Sequence, residues 1–388
     1  IARLSHARAR VAFRAGRTIV EVFRLAQLEA VVRMLEEHEC DFVDALGRDL
    51  HKVSDEATVV SELILVKNEA LHAINNLKKW MQPQHVERNL STTLDECLVF
   101  SEPLGVVLIV GTWCNPVQTC LVPLVGAIAA GNCAVISPCE CTAHTAELLH
   151  RLIPFYLDNV SNDEVEIVEL KFDHVFFTGN REEGSRIATA AARTLTPVTL
   201  VLGGKNPCYV DQHCDISTTA QRIAWARFHN AGQSLVAPDY ILCHTDVQAQ
   251  LLQALKCCLM TFFGPVIPVL TVNNIEEAIA FINKKEKPLC VYAYSTNSKV
   301  ISRLMSETSS GSFCSNDSIL QSLMVALPFG GVGSSGMGSY HGRQSFETFS
   351  HRKSCLLRGT RFECSLNLKM LEHFIYCAIE KPCPHIRS

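Results

Sequence analysis

Three short runs hold the residue types that chemistry asks for. Cys139-Glu140-Cys141, followed by His144, offers soft ligands or thiols. Gly179-Asn180-Arg181-Glu182-Glu183-Gly184 opens a predicted helix, and a helix N-terminus favours an anion. Trp113-Cys114-Asn115-Pro116 sets a thiol beside an amide. None of the three is complete. The cysteine pair has no second ligand pair at a zinc-like spacing, so no metal site is expected. Glu182 and Glu183 suit the helix dipole but repel a bound anion. Cys114 is expected to be a buried, inert thiol. A fourth run, Phe228-His229-Asn230-Ala231-Gly232-Gln233-Ser234-Leu235-Val236-Ala237-Pro238, centres on Ser234 and Leu235. Leucine has no lone pair, so it is no nucleophile itself. Ser234 is the neighbouring hydroxyl, but no general base is expected beside it.

The elements that must position these runs follow from apolar periodicity. Residues 1–82 read as helices, with apolar positions at helical spacing over 27–50 and again over 61–81, ended by Pro83. Val106-Val107-Leu108-Ile109-Val110 is an apolar run of strand length. A helix over 119–130, a Gly131-Asn132 cap and a strand over 133–136 follow it. A second strand-helix-strand unit spans 174–177, 182–193 and 198–202. Alternation of this kind predicts a parallel sheet buried on both faces and a doubly wound nucleotide-binding domain. The alternation then resumes. Helices are predicted over 218–230, 247–262, 275–283 and 298–307, and strands over 240–243, 266–270 and 290–293.

With these elements in place, the chain resembles the aldehyde dehydrogenases, most closely their short class-3 branch, over about residues 13–357. The motifs are Pro103-Leu104-Gly105-Val106, Pro197-Val198-Thr199-Leu200 before Leu202-Gly203-Gly204-Lys205, and the run around Leu235. Later come Phe263-Gly264-Pro265, Pro328-Phe329-Gly330-Gly331-Val332-Gly333, Gly336-Met337-Gly338 and Tyr340-His341-Gly342. Their order and their places at element boundaries make the resemblance specific. It implies an α/β fold: a doubly wound nucleotide-binding domain plus a second α/β catalytic domain. The expected division is a helical region over 1–82, the nucleotide-binding domain over 83–202, the catalytic domain over 203–337 and a C-terminal segment over 338–388. The implied reaction is NAD- or NADP-dependent oxidation of an aldehyde to a carboxylic acid. The implied partner is a second copy or an active relative, in a dimer.

The resemblance also assigns roles position by position. The nucleophilic cysteine falls at Leu235, the general-base glutamate at Val201 and the oxyanion asparagine at Cys114, with Asn115 displaced by one residue. The backbone N–H of Leu235 still offers half an oxyanion hole. Losing one oxyanion donor costs about 10²–10³ in rate, whereas losing a nucleophile costs on the order of 10⁶, so Leu235 decides the matter. The lysine that holds the adenosine ribose falls at Ser137, within Ser137-Pro138-Cys139-Glu140. The glutamate that holds the nicotinamide ribose falls at Thr261, two residues before Phe263. The pyrophosphate turn falls at Gly179, Asn180 and Gly184. His341 falls at a position lining the cofactor and substrate region. Two stretches read as deletions relative to the family, one between Leu157 and Phe172 that removes a strand, the other near Phe262. A non-catalytic member of the family is therefore expected; the alternative is an active enzyme with an unusual nucleophile.

Composition bounds the rest. The chain has 388 residues, 48% hydrophobic and 19% charged, with a net charge of −4, which fits two packed domains and not a disordered chain. The 35 basic residues form no stripe, so nucleic acid is not an expected partner. Eighteen cysteines in a chain of this length read as reduced thiols, hence a cytoplasmic setting. The arginine-rich start, with Glu21 as the first acid, reads as an amphipathic helix in preference to a transit peptide. No apolar run is long enough for a membrane span. The stretch Phe374-Ile375-Tyr376-Cys377-Ala378-Ile379 is too short, and the ending is no prenylation signal.

Overall fold

The computed structural model describes residues 2–51, 59–88, 92, 95–158, 160–162, 170–259 and 267–358. Contacts divide the chain into two units, one of residues 1–80 and 103–350, the other of residues 81–102 and 351–388.

Among the described residues the larger unit begins with the α-helices α1 (Ala2–Arg14), α2 (Glu21–Glu37), α3 (Glu39–Leu50) and α4 (Ile64–Trp80). The helical period over 27–50 spans two helices, α2 and α3, with the backbone broken between them at His38, φ −119°. The apolar stripe runs through the break because no glycine or proline marks it. The smaller unit is described by its sheet, in which β1 (Gln84–His85), β2 (Glu96–Pro103) and β14 (Ser350–Leu357) lie in the order β1-β2-β14. Lys353 forms an ion pair there with Glu102.

Two parallel sheets make the core of the larger unit. The first contains β3 (Val106–Val110), β4 (Cys133–Ser137), β5 (Val160–Asn162), β6 (His174–Gly179) and β7 (Val198–Leu202). The helices between them are α5 (Pro116–Ala130), α6 (Ala143–Tyr156) and α7 (Arg181–Ala192). The strand order is β5-β4-β3-β6-β7, with β13 (Gly336–Met337) added antiparallel at the β7 edge. Val106, Leu108, Val135, Phe177 and Leu200 are buried together beneath Ala9 of α1. The three-residue β5 pairs in parallel with Ala134–Ile136. It corrects the expectation that the segment after Leu157 has lost its strand: the strand is present.

The second sheet contains β8 (Pro207–Val210), β9 (Tyr240–His244), β10 (Val269–Val272), β11 (Cys290–Tyr294) and β12 (Ser312–Ser315), all parallel. Its helices are α8 (Ile216–Phe228), α9 (Gln248–Leu259), α10 (Ile275–Lys284) and α11 (Ser298–Glu307), and α12 (Gly342–Thr348) follows β13. Its order is β10-β9-β8-β11-β12. In both sheets the strand that comes first in sequence lies in the middle, and the order reverses beside it. That reversal is where open α/β sheets leave a crevice beyond the strands' carboxyl ends. In the first sheet the crevice lies between Val110 and Gly179.

Candidate active site

The loop from Phe228 to Tyr240 is pinned from several sides. Asn206, fully buried, donates both amide hydrogens, to the Leu235 carbonyl at 2.9 Å and the Ala237 carbonyl at 3.0 Å. Its Oδ1 accepts from the Cys290 N–H at 2.9 Å, so the side chain is saturated while bridging loop and sheet. The Tyr292 hydroxyl donates to the Val236 carbonyl at 2.5 Å. Asn230 Nδ2 donates to the Cys114 carbonyl at 2.9 Å and the Gln233 carbonyl at 2.8 Å. Asn230 and Ala231 take left-handed φ of 54° and 55°, a conformation that costs an L-residue roughly 1–2 kcal/mol.

This pinning sets Leu235 and Val201 on the wall of one cavity, with Thr178, Asn115, Phe329 and Tyr340 among its other walls. Val201 is buried on β7, paired with Thr178 on one side and Gly336 on the other. A Cβ at Gly336 would stand 2.1 Å from the Leu200 carbonyl, which is why the antiparallel strand needs glycine there. A Cβ at Gly203 would meet Leu235 Cδ2 at 3.5 Å, so the leucine side chain lies over the glycine turn. The cavity holds about 50 Å³, room for a few waters, against the ~300–1,000 Å³ of a ligand pocket.

Cys114 is tied to the loop through its carbonyl, but its thiol is buried. Burial first, and then the charge of Glu62, push that thiol up to about 12. Asn115 turns away to meet Glu62: its Nδ2 donates to Glu62 Oε1 at 3.2 Å, while Glu62 Oε2 accepts from the Gln118 N–H at 3.0 Å. Glu62 thereby caps the N-terminus of α5. Sequence reasoning missed both Glu62 and Asn206. Glu62 acts on residues 53 and 56 positions away, and nothing local announces that. Asn206 carried a readable sign, a polar residue at the mouth of an apolar strand whose ends need partners. His229 and Ser234 also line the cavity; the His229 ring stacks on Trp225, centroids 5.0 Å apart.

Of the positions that the resemblance assigns to the cofactor, Ser137 and Gly179 end β4 and β6, the strands on either side of β3. Ser137 ends β4 beside Val110. Asn180 caps α7 by accepting from the Glu183 N–H at 2.9 Å. Glu183 is near enough to Cys139 to act on its thiol, so the end of β4 and the start of α7 are neighbours. Arg181 is paired with Glu286. A Cβ at Gly184 would stand 2.7 Å from Leu202 Cδ2, so this glycine serves close packing of α7 on β7. Thr261 and Phe263 lie outside the described residues. His341, buried with φ 85°, stacks on Phe329 with ring centroids 5.5 Å apart. Among the described residues no cluster is placed to hold a metal, and no helix is long and apolar enough to cross a membrane.

The profile of the aldehyde dehydrogenase family matches residues 3–262 and 256–355. The chain belongs to the aldehyde dehydrogenase family. Aldehyde dehydrogenase family 3 member B1 of Homo sapiens is 40% identical, over 92% of this chain and 91% of that protein. The dimeric NADP-preferring aldehyde dehydrogenase of Canis lupus familiaris is 43% identical, over 94% and 98%. These relatives place the chain in the class-3 branch. The substrate-bound state of Staphylococcus aureus AldH superposes with a TM-score of 0.92 at 31% identity, covering 97% of this chain and 99% of that one. The alignment to the dog enzyme spans 446 positions, more than the 388 residues of this chain, so the relative carries residues that this chain lacks. The two profile matches meet at residues 256–262, which take in the last turn of α9.

Proposed function

We propose that this chain is a non-catalytic aldehyde dehydrogenase, a pseudoenzyme with the family's frame and none of its covalent chemistry. One observation carries the reading: Leu235 and Val201 face the same small cavity. Neither side chain can attack a carbonyl or move a proton. Cys114 does not replace them, because its thiol is buried and pushed up to about 12. The loop is nonetheless held by saturated hydrogen bonds, so this is a closed site and not a collapsed one.

The residues at the crevice fit a dinucleotide poorly. Two carboxylates sit in the first turn of α7, where a pyrophosphate would need positive potential. Arg181 is engaged by Glu286, and Ser137 has no charge to offer a ribose. NAD or NADP therefore binds weakly, if at all. The remaining role is as a partner: a homodimer, or a heterodimer with an active relative. The dog relative is described as dimeric, which supports this assembly.

Purified protein should produce no NADH or NADPH from aliphatic or aromatic aldehydes and should not hydrolyse activated esters. Turnover that survives Cys114→Ser, Ser234→Ala and His229→Gln would overturn the inactive reading. Turnover abolished by one of the three would identify the unusual nucleophile or base.

A further inference from the structure

Cys139 and Cys141 lie in one turn. The Thr142 N–H and hydroxyl both donate to the Cys139 carbonyl, at 3.1 and 3.0 Å, closing residues 139–142 at the start of α6. Burial pushes the Cys139 thiol up, which leaves the exposed Cys141 as the sulfur that meets an oxidant first. Two Cα steps of ~3.8 Å bent through a turn fall inside the ~4.4–6.8 Å window a disulfide requires. Cys141 is exposed and Cys139 half-buried, so an oxidant in solution reaches the pair. No third ligand turns the two into a metal site among the described residues. Their shared chemistry is redox.

We propose that Cys139 and Cys141 form a peroxide-sensitive dithiol that closes reversibly to a disulfide. The exposed Cys141 sulfur attacks the peroxide. An S–O bond forms, the O–O bond breaks, and the departing hydroxide leaves as water with the thiol's proton. Cys139 sulfur then attacks Cys141 sulfur. The S–S bond forms, the S–O bond breaks, and the second hydroxide leaves as water with the Cys139 proton. Two thiols lose two electrons, and one peroxide becomes two waters. A disulfide this exposed and this tightly looped belongs to the labile, reducible kind. It stiffens the turn between β4 and α6 beside Ser137, and it needs neither cofactor nor turnover.

Glu140 lies between the two cysteines and makes the test direct. The native protein is treated with a few equivalents of hydrogen peroxide, and free thiols are blocked with iodoacetamide. The denatured chain is then cut after glutamate. The expected product joins the peptide ending at Glu140 to the one beginning at Cys141, two hydrogens lighter than their sum. Fragmentation should place the bridge on Cys139, and dithiothreitol should release it. Cys139→Ser and Cys141→Ser should each reduce the linked species at least tenfold. Recovery of the two peptides unlinked, with Cys141 alkylated or carrying sulfinic acid, would overturn the proposal. So would a bridge from Cys141 to the buried neighbour Cys120. Because wild-type peptide masses decide the matter, the result stands even if a variant folds badly.

Discussion

Asn206 holds Leu235 by its main chain: the amide Nδ2 donates to the Leu235 carbonyl at 2.9 Å, from a side chain with no exposed surface. The loop is thus positioned by a residue that is indifferent to which side chain position 235 carries. Asn206→Ala would leave two carbonyls and the Cys290 N–H without this partner, a cost of about 3 kcal/mol or more. Asn206→Asp should be worse, since a carboxylate accepts where the loop needs a donor. Urea unfolding midpoints would check both; a shift of less than 1 kcal/mol in Asn206→Ala would mean that the loop is held elsewhere.

Restoring the thiol should not restore the reaction. Leu235→Cys regains a nucleophile, but its proton has no acceptor at Val201 and water has no activating base. Acyl-enzyme should accumulate without steady-state NADH. Leu235→Cys with Val201→Glu should turn over weakly. The new carboxylate would be buried, which raises its pKa and destabilises the fold, with the unpartnered Thr178 hydroxyl nearby as a donor. Robust NADH formation by the single variant, with a long-chain or an aromatic aldehyde, would show the other substitutions to be harmless.

Cofactor should leave the melting temperature unchanged. A ligand at 100 times its Kd adds about 2.7 kcal/mol to stability. With millimolar NAD or NADP we expect no measurable rise in Tm. Glu182→Ser with Glu183→Thr removes both first-turn carboxylates and should recover part of the affinity. A clear rise with the unaltered protein would overturn the reading of the crevice.

Stability should fall on acidification between about pH 6.5 and 4. Burial pushes His174 and His341 down to about 4, so their contribution is present above 6.5 and lost as pH falls toward 4. Burial of Glu69 pushes it up to about 7, partly offset by the Gly342 N–H and the Ser345 hydroxyl. Its contribution runs the other way: it is fully present below 4.5 and lost as pH rises through 7. The three shifts are alike in size, so one histidine's worth remains, on the order of a few kcal/mol. His174→Gln should level the curve and Glu69→Gln should steepen it. Unfolding midpoints at pH 7, 5.5 and 4.5 would check the slopes.

The strands over 106–110 and 198–202 and the helix over 298–307 coincide with the structure to the residue, because apolar runs and caps are local. Class and family are legible for the same reason: the glycine motifs sit at turns that backbone geometry enforces. What sequence does not carry is position across the sheet. The pairing of Val201 with Gly336, and the way Asn115 is drawn off by Glu62, join residues 135 and 53 positions apart. The helical period over 27–50 does not announce the break at His38, where no proline or glycine punctuates. The strand at Val160 was overlooked because three residues show no period.

The order β10-β9-β8-β11-β12 has a consequence for how the chain could lose residues and stay folded. The seam at 256–262 begins in the last turn of α9, and among the described residues β10 pairs with β9 alone. A cut there changes how the ribbon arrives at the margin of the sheet. The central strands β8 and β11, which receive the Asn206 bridge, stay where they are. Trimming and chemistry are uncoupled by topology: a shortened crossover can be carried by the same molecule that keeps its reaction loop aligned to within a hydrogen bond.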